Sequence, residues 1–263
     1  MATDPYAAPK AHVEDVQADA AEGEFIPSGQ GVVAGNGWQW IVDGWAVFKR
    51  QPGTWILITV VWFLILLVLA LIPFIGGIAN NLLFPAFLGG VLLGCREIEH
   101  GQPLEFGHLF AGFRDAFGKL VLVGVFYLVA LIACVIVAAL FGGLGVFTAL
   151  RMFTGVGGAS QMGLGGLAMA LTGLIVLALL VPVWMAMWFA PALIVFHDFD
   201  VTDALKASFA GCLKNVVPFL LYGVILFVLM IFASLPVLLG WLVLGPTVLG
   251  SVYASYRDIY YAS

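Results

Sequence analysis

The chain has 263 residues, of which 63% are hydrophobic and only 10% charged, and its mean hydropathy is +1.10. Soluble domains carry about 25% charged residues, so this composition excludes an ordinary soluble enzyme or nucleic-acid binder and points to an integral membrane protein. The net charge of −5 names no partner, because residues 1–37 hold six acids and one base while residues 38–263 balance nine against nine.

In chain order, residues 1–37 read as a disordered acidic cytoplasmic tail ending in the linker "PSGQGVVAGNG". No basic segment precedes an apolar core there, so a cleaved signal peptide is not expected. Next, "WQWIVDGWAVFKR" places Trp38, Ile41, Trp45 and Phe48 at spacings of three, four and three, opposite Asp43, Lys49 and Arg50. That pattern predicts an interfacial amphipathic helix. An apolar run at 55–73 follows, ended by Pro73, then the turn "GGIANN" and a shorter run at 80–95.

The same order recurs twice. "LEFGHLFAGFRDAFGKL" sets Leu109, Phe110, Phe113 and Phe117 against Arg114 and Asp115, and leads into runs at 119–140 and 166–190. A glycine-rich stretch around Arg151, about 141–165, is expected as an outer loop between them. "VTDALKASFAGCLKN" sets Leu205, Phe209, Cys212 and Val216 against Asp203, Lys206 and Lys214. Runs at 216–238 and 240–256 follow, joined by the turn "LLGW".

"PAFLGGVLLGCREI" (85–98) and "PTVLGSVYASYRDI" (246–259) fit one template, P-x-x-L-G-x-V-x-x-x-x-R-[DE]-I. The fold class expected is therefore all-α integral membrane, with six transmembrane helices as three parallel hairpin repeats, about 38–98, 104–198 and 201–259. A cytoplasmic interfacial amphipathic helix precedes each. Two spans per unit make the repeats parallel, whereas inverted repeats need an odd number or an extra helix. The Pro-x-[Asp/Glu]-x-x-[Lys/Arg] signature of mitochondrial carriers is absent from the odd spans. With six spans and an internal tail, nine of ten Lys and Arg fall inside and only Arg151 outside, which predicts both termini in the cytoplasm.

Candidate sites are few. Arg96 and Arg257 lie eleven residues beyond their prolines, about 16 Å down a helix, at the cytoplasmic boundary. There they either snorkel to lipid phosphate, with Glu97 and Asp258 as local partners, or pair to bind a lipid headgroup or anion. Pro85 and Pro246 are expected to start or bend their helices, and Gly89 and Gly250 to permit close helix packing. Trp38, Trp45, Phe113 and Phe209 would anchor the amphipathic helices to the interface or form a docking ring.

No catalytic, cofactor or metal residues are expected. Ionisable residues avoid the span centres, which argues against a proton-coupled pump. Neither a phosphate-binding glycine loop nor a C-x-x-C motif occurs, so Cys95, Cys134 and Cys212 are expected as free thiols. The neighbouring His197 and Asp198 lack a nucleophile to complete a catalytic set.

The opening "DPYAAPKAHV" resembles the N-P-Y-A-P-P-like start of several uncharacterised proteobacterial inner-membrane families, with Asp4 in place of Asn and Ala8 in place of the first proline of the pair. "FAPALIVFHD" and "DALKASFAGCLKNVVPF" resemble one such family, distantly akin to the membrane domain of glycerophosphoryl diester phosphodiesterases, at Pro191, Asp198, Ala204, Ser208, Asn215 and Pro218. The resemblance implies a multi-pass bacterial inner-membrane protein without that enzyme's catalytic domain. The expected role is a non-enzymatic, oligomeric scaffold or accessory subunit, with the lipid bilayer and a second copy or another membrane protein as partners. The oligomer expectation rests on the small residues Gly89, Gly90 and Gly94. The alternative is a transporter, channel or lipid handler with a path along the pseudo-threefold axis.

Overall fold

The computed structural model describes residues 23–114, 116–153, 159–236 and 239–262. Most of the expected tail, residues 1–22, and Asp115 lie outside the described residues. The described elements are helical: α1 (Asn36–Arg50), α2 (Pro52–Ala70), α3 (Ile75–Glu99), a 3₁₀ segment (Phe106–Phe113), α4 (Phe117–Phe153), α5 (Ala159–Trp188), α6 (Ala190–His197), α7 (Val201–Lys214), α8 (Val216–Ser234) and α9 (Trp241–Tyr260). Among the described residues, five stretches are long and apolar enough to cross a membrane: Pro52–Ala70, Ile75–Glu99, Phe117–Leu140, Gly166–His197 and Val216–Ser234. The polar residues of α9 include Thr247, Ser251 and Ser255, and these are buried against the rest of the bundle.

Each amphipathic element crosses a long helix at backbone contact. In α1, a methyl group on Gly44 would collide with the Thr247 carbonyl and the Ser251 amide of α9. In the 3₁₀ segment, Gly112 meets the Ala86 carbonyl and the Gly90 amide of α3 in the same way. The third crossing, of α7 on α5, carries a hydroxyl in place of a hydrogen atom. Ser208 Oγ donates to the Met185 carbonyl (2.7 Å) and accepts from the Phe189 amide (2.9 Å). It occupies the place of an i→i−4 helix bond, so the helix breaks at Phe189 and restarts as α6, whose early Pro191 needs no amide partner.

Both short hairpin turns close alike. Gly76 abuts the Leu69 backbone and Gly240 abuts the Ala233 backbone, seven residues earlier in each case. Pro85 lies inside α3, ten residues after its start, and Pro246 lies inside α9, so both are interior residues and neither opens its helix.

Three expectations change here. The expected outer loop at 141–165 is largely helical among the described residues, because α4 continues to Phe153 and α5 begins at Ala159. Gly142 lets the pair approach closely, its Cβ position being 3.3 Å from Thr172 Cγ2. At 37 residues, α4 is about 55 Å long, well beyond the ~30 Å hydrocarbon layer, so this hairpin extends past the shorter ones.

The chain is also fastened from Gly23 onward. Ile26 N donates to Tyr260 O (2.8 Å), Gln30 N to Ile259 O (2.8 Å) and Ala262 N to Glu24 O (3.0 Å), which holds residue 23 and the C-terminal residues at one end of the bundle. Fully buried Asn215 clamps this strap, accepting from Val32 N (2.7 Å) and donating to Gln30 O (2.8 Å) and Gly211 O (2.9 Å). Backbone bonding of this kind supplies the order that the polar composition alone did not indicate.

The glycines that suggested self-association are spent inside the chain. Gly89 packs on Val195 and Leu120, Gly90 on the 3₁₀ segment, and Gly94 on Leu104 and His108.

Candidate functional site

At the end of the bundle that holds residues 24–30 and 259–262, charged side chains are tied to protein groups. Arg257 forms an ion pair with Glu99, and Tyr253 Oη donates to the same carboxylate at 2.7 Å. Asp258 accepts from Asn36 Nδ2 (2.8 Å) and from the indole of Trp40 (2.7 Å). Arg96 lies 4.8 Å over the ring of Phe196, a cation–π arrangement. Arg257 thus finds its partner across the bundle, and Asp258, expected beside it, serves α1. Arg50 donates to Ile98 O at 2.7 Å, and a polar cavity of about 420 Å³ lies among Asp43, Arg50, Glu99 and Arg257.

His197 and Asp198 turn to different neighbours. The His197 ring meets Tyr256 Oη at 2.7 Å and stacks on Phe25 at 3.6 Å, while Asp198 takes the Lys119 ammonium at 2.8 Å. Among the described residues, no cluster of three or more His, Cys, Asp or Glu could hold a metal ion. Cys212 is buried, and burial pushes its thiol up to about 12, so it stays protonated and unreactive at neutral pH.

The expected stripe of α1 is divided between the protein interior and its outer surface. Gly37, Trp40, Ile41, Gly44 and Phe48 are buried, whereas Trp38 and Trp45 are 53% and 41% exposed. Phe113 and Phe209 are half-buried. Gly250 packs on Gly44 of α1, its Cβ position being 3.0 Å from Gly44 Cα. Trp40 escaped the sequence reading because small residues, not apolar ones, mark the face that contacts α8 and α9.

The site with the least obvious structural purpose lies where α3, α5 and α9 converge. A cavity of about 350 Å³ is lined by Leu88, Met187, Leu249 and Val252, with Asn80, Asn81 and Tyr127 as its polar groups. Among its described lining residues none is charged. Beyond the cavity, Cys95 of α3, Ile194 of α6 and Tyr256 of α9 are all buried. Trp188 lines the cavity, and its indole nitrogen is buried with no hydrogen-bond partner.

Five apolar membrane-length segments among the described residues, those of α3, α4 and α5 lining this cavity, define a polytopic α-helical membrane protein. The chain is 31% identical over 206 residues to a probable inner membrane protein of Burkholderia thailandensis, an alignment covering 75% of this chain and 74% of that one. It belongs to the family of that protein. No family model matches the chain, and no solved structure matches it.

Proposed function

We propose that this is a six-span inner-membrane protein of three parallel hairpin units, with cytoplasmic termini, that binds and handles lipid in a chamber on its axis. The chamber carries the reading: its described lining is uncharged and mostly apolar, and its size falls in the range of about 300–1,000 Å³ typical of small-molecule sites.

Several observations support the architecture. Gly44 on α9, Gly112 on α3 and Ser208 on α5 make the same crossing, each against a carbonyl and the amide four residues beyond it. By that register Leu88, Met187 and Leu249 hold equivalent positions, and so do Cys95, Ile194 and Tyr256. With α9 as the sixth span, the positive-inside rule places the strap, Arg96 and Arg257 in the cytoplasm and Arg151 outside.

A lipid-handling role accounts for the chamber better than a conducting pore does, because its described lining offers an ion no charged partner. It also accounts for more than an oligomeric scaffold does, since the glycines behind that expectation pack within one chain. No catalytic set accompanies the chamber, so the reading is non-enzymatic. Native mass spectrometry of the protein released from nanodiscs is the test. Retained phospholipid is expected, and Leu249→Trp, which fills the chamber, should remove it. Equal retention in that variant would count against the chamber.

A further inference from the structure

The three joints between hairpins are unequal. Where α4 meets α3, Gly124 packs on the α3 backbone, its Cβ position 2.6 Å from Asn81 O and 2.7 Å from Leu82 Cα. Where α2 meets α9, Gly245 faces Thr59 with 3.6 Å between its Cβ position and Thr59 Cγ2. Between α5 and α8 lies a cleft of about 510 Å³, lined by Leu177, Leu180, Val181, Phe219 and Leu220, with Cys212 of α7 beside them. All of its lining residues are uncharged.

This cleft and the axial chamber share two walls, the side chains of Trp184 and Trp188. Trp184 is 56% exposed and faces the region that lipid occupies. Trp188 brings a buried indole N–H that, like those of Trp55 and Trp62, has no acceptor among the described residues. An unmet donor on the wall between two apolar spaces costs free energy unless an acceptor arrives, and a lipid ester carbonyl is such an acceptor.

We infer that the acyl chain of a bilayer phospholipid reaches the axial chamber sideways, through the cleft between α5 and α8, with the Trp184 and Trp188 indoles as the door. This rests on the reading of the chamber as a lipid site. The occupant follows from the place and the chemistry. The cleft opens among lipid-facing residues such as Leu177 and Leu220, and offers a charged or strongly polar ligand no partner. Its path leads to a chamber whose polar groups, Asn80, Asn81 and Tyr127, can meet the ester or headgroup region.

The energetics suit exchange. Lipid tails are as apolar as the side chains lining the chamber, so a tail moving from bilayer to chamber gains no hydrophobic free energy. Side-chain rearrangement at the door then governs the rate, as lid motions do at other buried sites.

The test uses the full chain in vesicles of phosphatidylethanolamine and phosphatidylglycerol. Phosphatidylglycerol with a diazirine in its acyl chain is added from a cyclodextrin carrier, and samples are irradiated over time. Peptide mass spectrometry locates the adducts. Adducts at chamber residues Leu88 and Leu249 should accumulate in the wild type. Leu220→Trp fills the cleft from a position that is 64% exposed and should leave the fold intact. It should slow chamber labelling several-fold while reaching the same plateau, and Trp184→Ala should hasten it. Should Leu220→Trp fail to fold, Leu177→Trp, at a 57% exposed position, makes the same test. Chamber labelling at the wild-type rate in the filled-cleft variant overturns the lateral route and leaves the chamber reading standing. Absence of chamber adducts in every protein overturns both.

Discussion

Replacing Ser208 with alanine tests the most specific polar contact of the fold. Ser208 is fully buried, and its hydroxyl serves two backbone groups of another helix, the Met185 carbonyl at 2.7 Å and the Phe189 amide at 2.9 Å. Ser208→Ala leaves both groups buried without a partner, at about 1–3 kcal/mol each. Partial closure of the helix across the gap recovers some of this, so a net loss of about 2–4 kcal/mol is expected. Ser255→Ala is the control. Its hydroxyl is equally buried but bonds only the carbonyl of its own helix, Val252 O at 2.8 Å. That change should cost less than about 1 kcal/mol, the usual scale for such bonds in membrane proteins. Reversible unfolding by sodium dodecyl sulfate in mixed micelles measures both variants, and hydrogen exchange at the Phe189 amide reports the local effect. Equal losses for the two variants, with unchanged protection at Phe189, would refute the account of the helix break.

Gly44→Ala should destabilise by about 1–3 kcal/mol, because its methyl meets Thr247 and Ser251 backbone that cannot swing away. Gly223→Ala, which points into open space, should be neutral or stabilising by up to about 1 kcal/mol, with thermal unfolding in mild detergent comparing the two. Glu99→Gln removes the charge that pairs with Arg257, and since both side chains are about a third exposed the loss should stay near or below about 1 kcal/mol and shrink with added salt. Cys212 binds its proton more tightly folded than unfolded. Its contribution to stability is therefore present below the ordinary thiol pKa and fades as pH climbs toward about 12. Iodoacetamide should react slowly with Cys212 at about pH 8 and at the ordinary rate after unfolding, and fast alkylation of the folded protein would contradict this.

The α1 segment shows where sequence reading stops. A hydrophobic stripe at helical spacing correctly predicts a helix at 38–50, yet it does not single out Trp40, which packs inside the protein while Trp38 and Trp45 stay exposed. Hydrophobicity ranks side chains by their aversion to water. In a membrane both the lipid and the protein interior accept them, so the pattern loses its power to tell inside from outside. Small residues at Gly37 and Gly44 mark the contact because they let backbones meet. The glycine-rich run at 141–165 misleads for a related reason. Glycine marks a loop in water, but between two packed helices it permits approach.

The chain's own sequence determined the class of protein, the positions of its long apolar segments and the doubled proline-to-arginine phrase, because these depend on local composition and spacing. Tertiary structure decided what those segments do for one another. It paired Arg257 with Glu99, the residue just past the other copy of the phrase, spent the glycines inside one chain and set Ser208 into a gap in another helix. It also left the chamber at Leu88, Met187 and Leu249 and the cleft beside Trp184. Cavities and long-range partners arise where distant segments meet, and no local pattern encodes the shape of the space left between them.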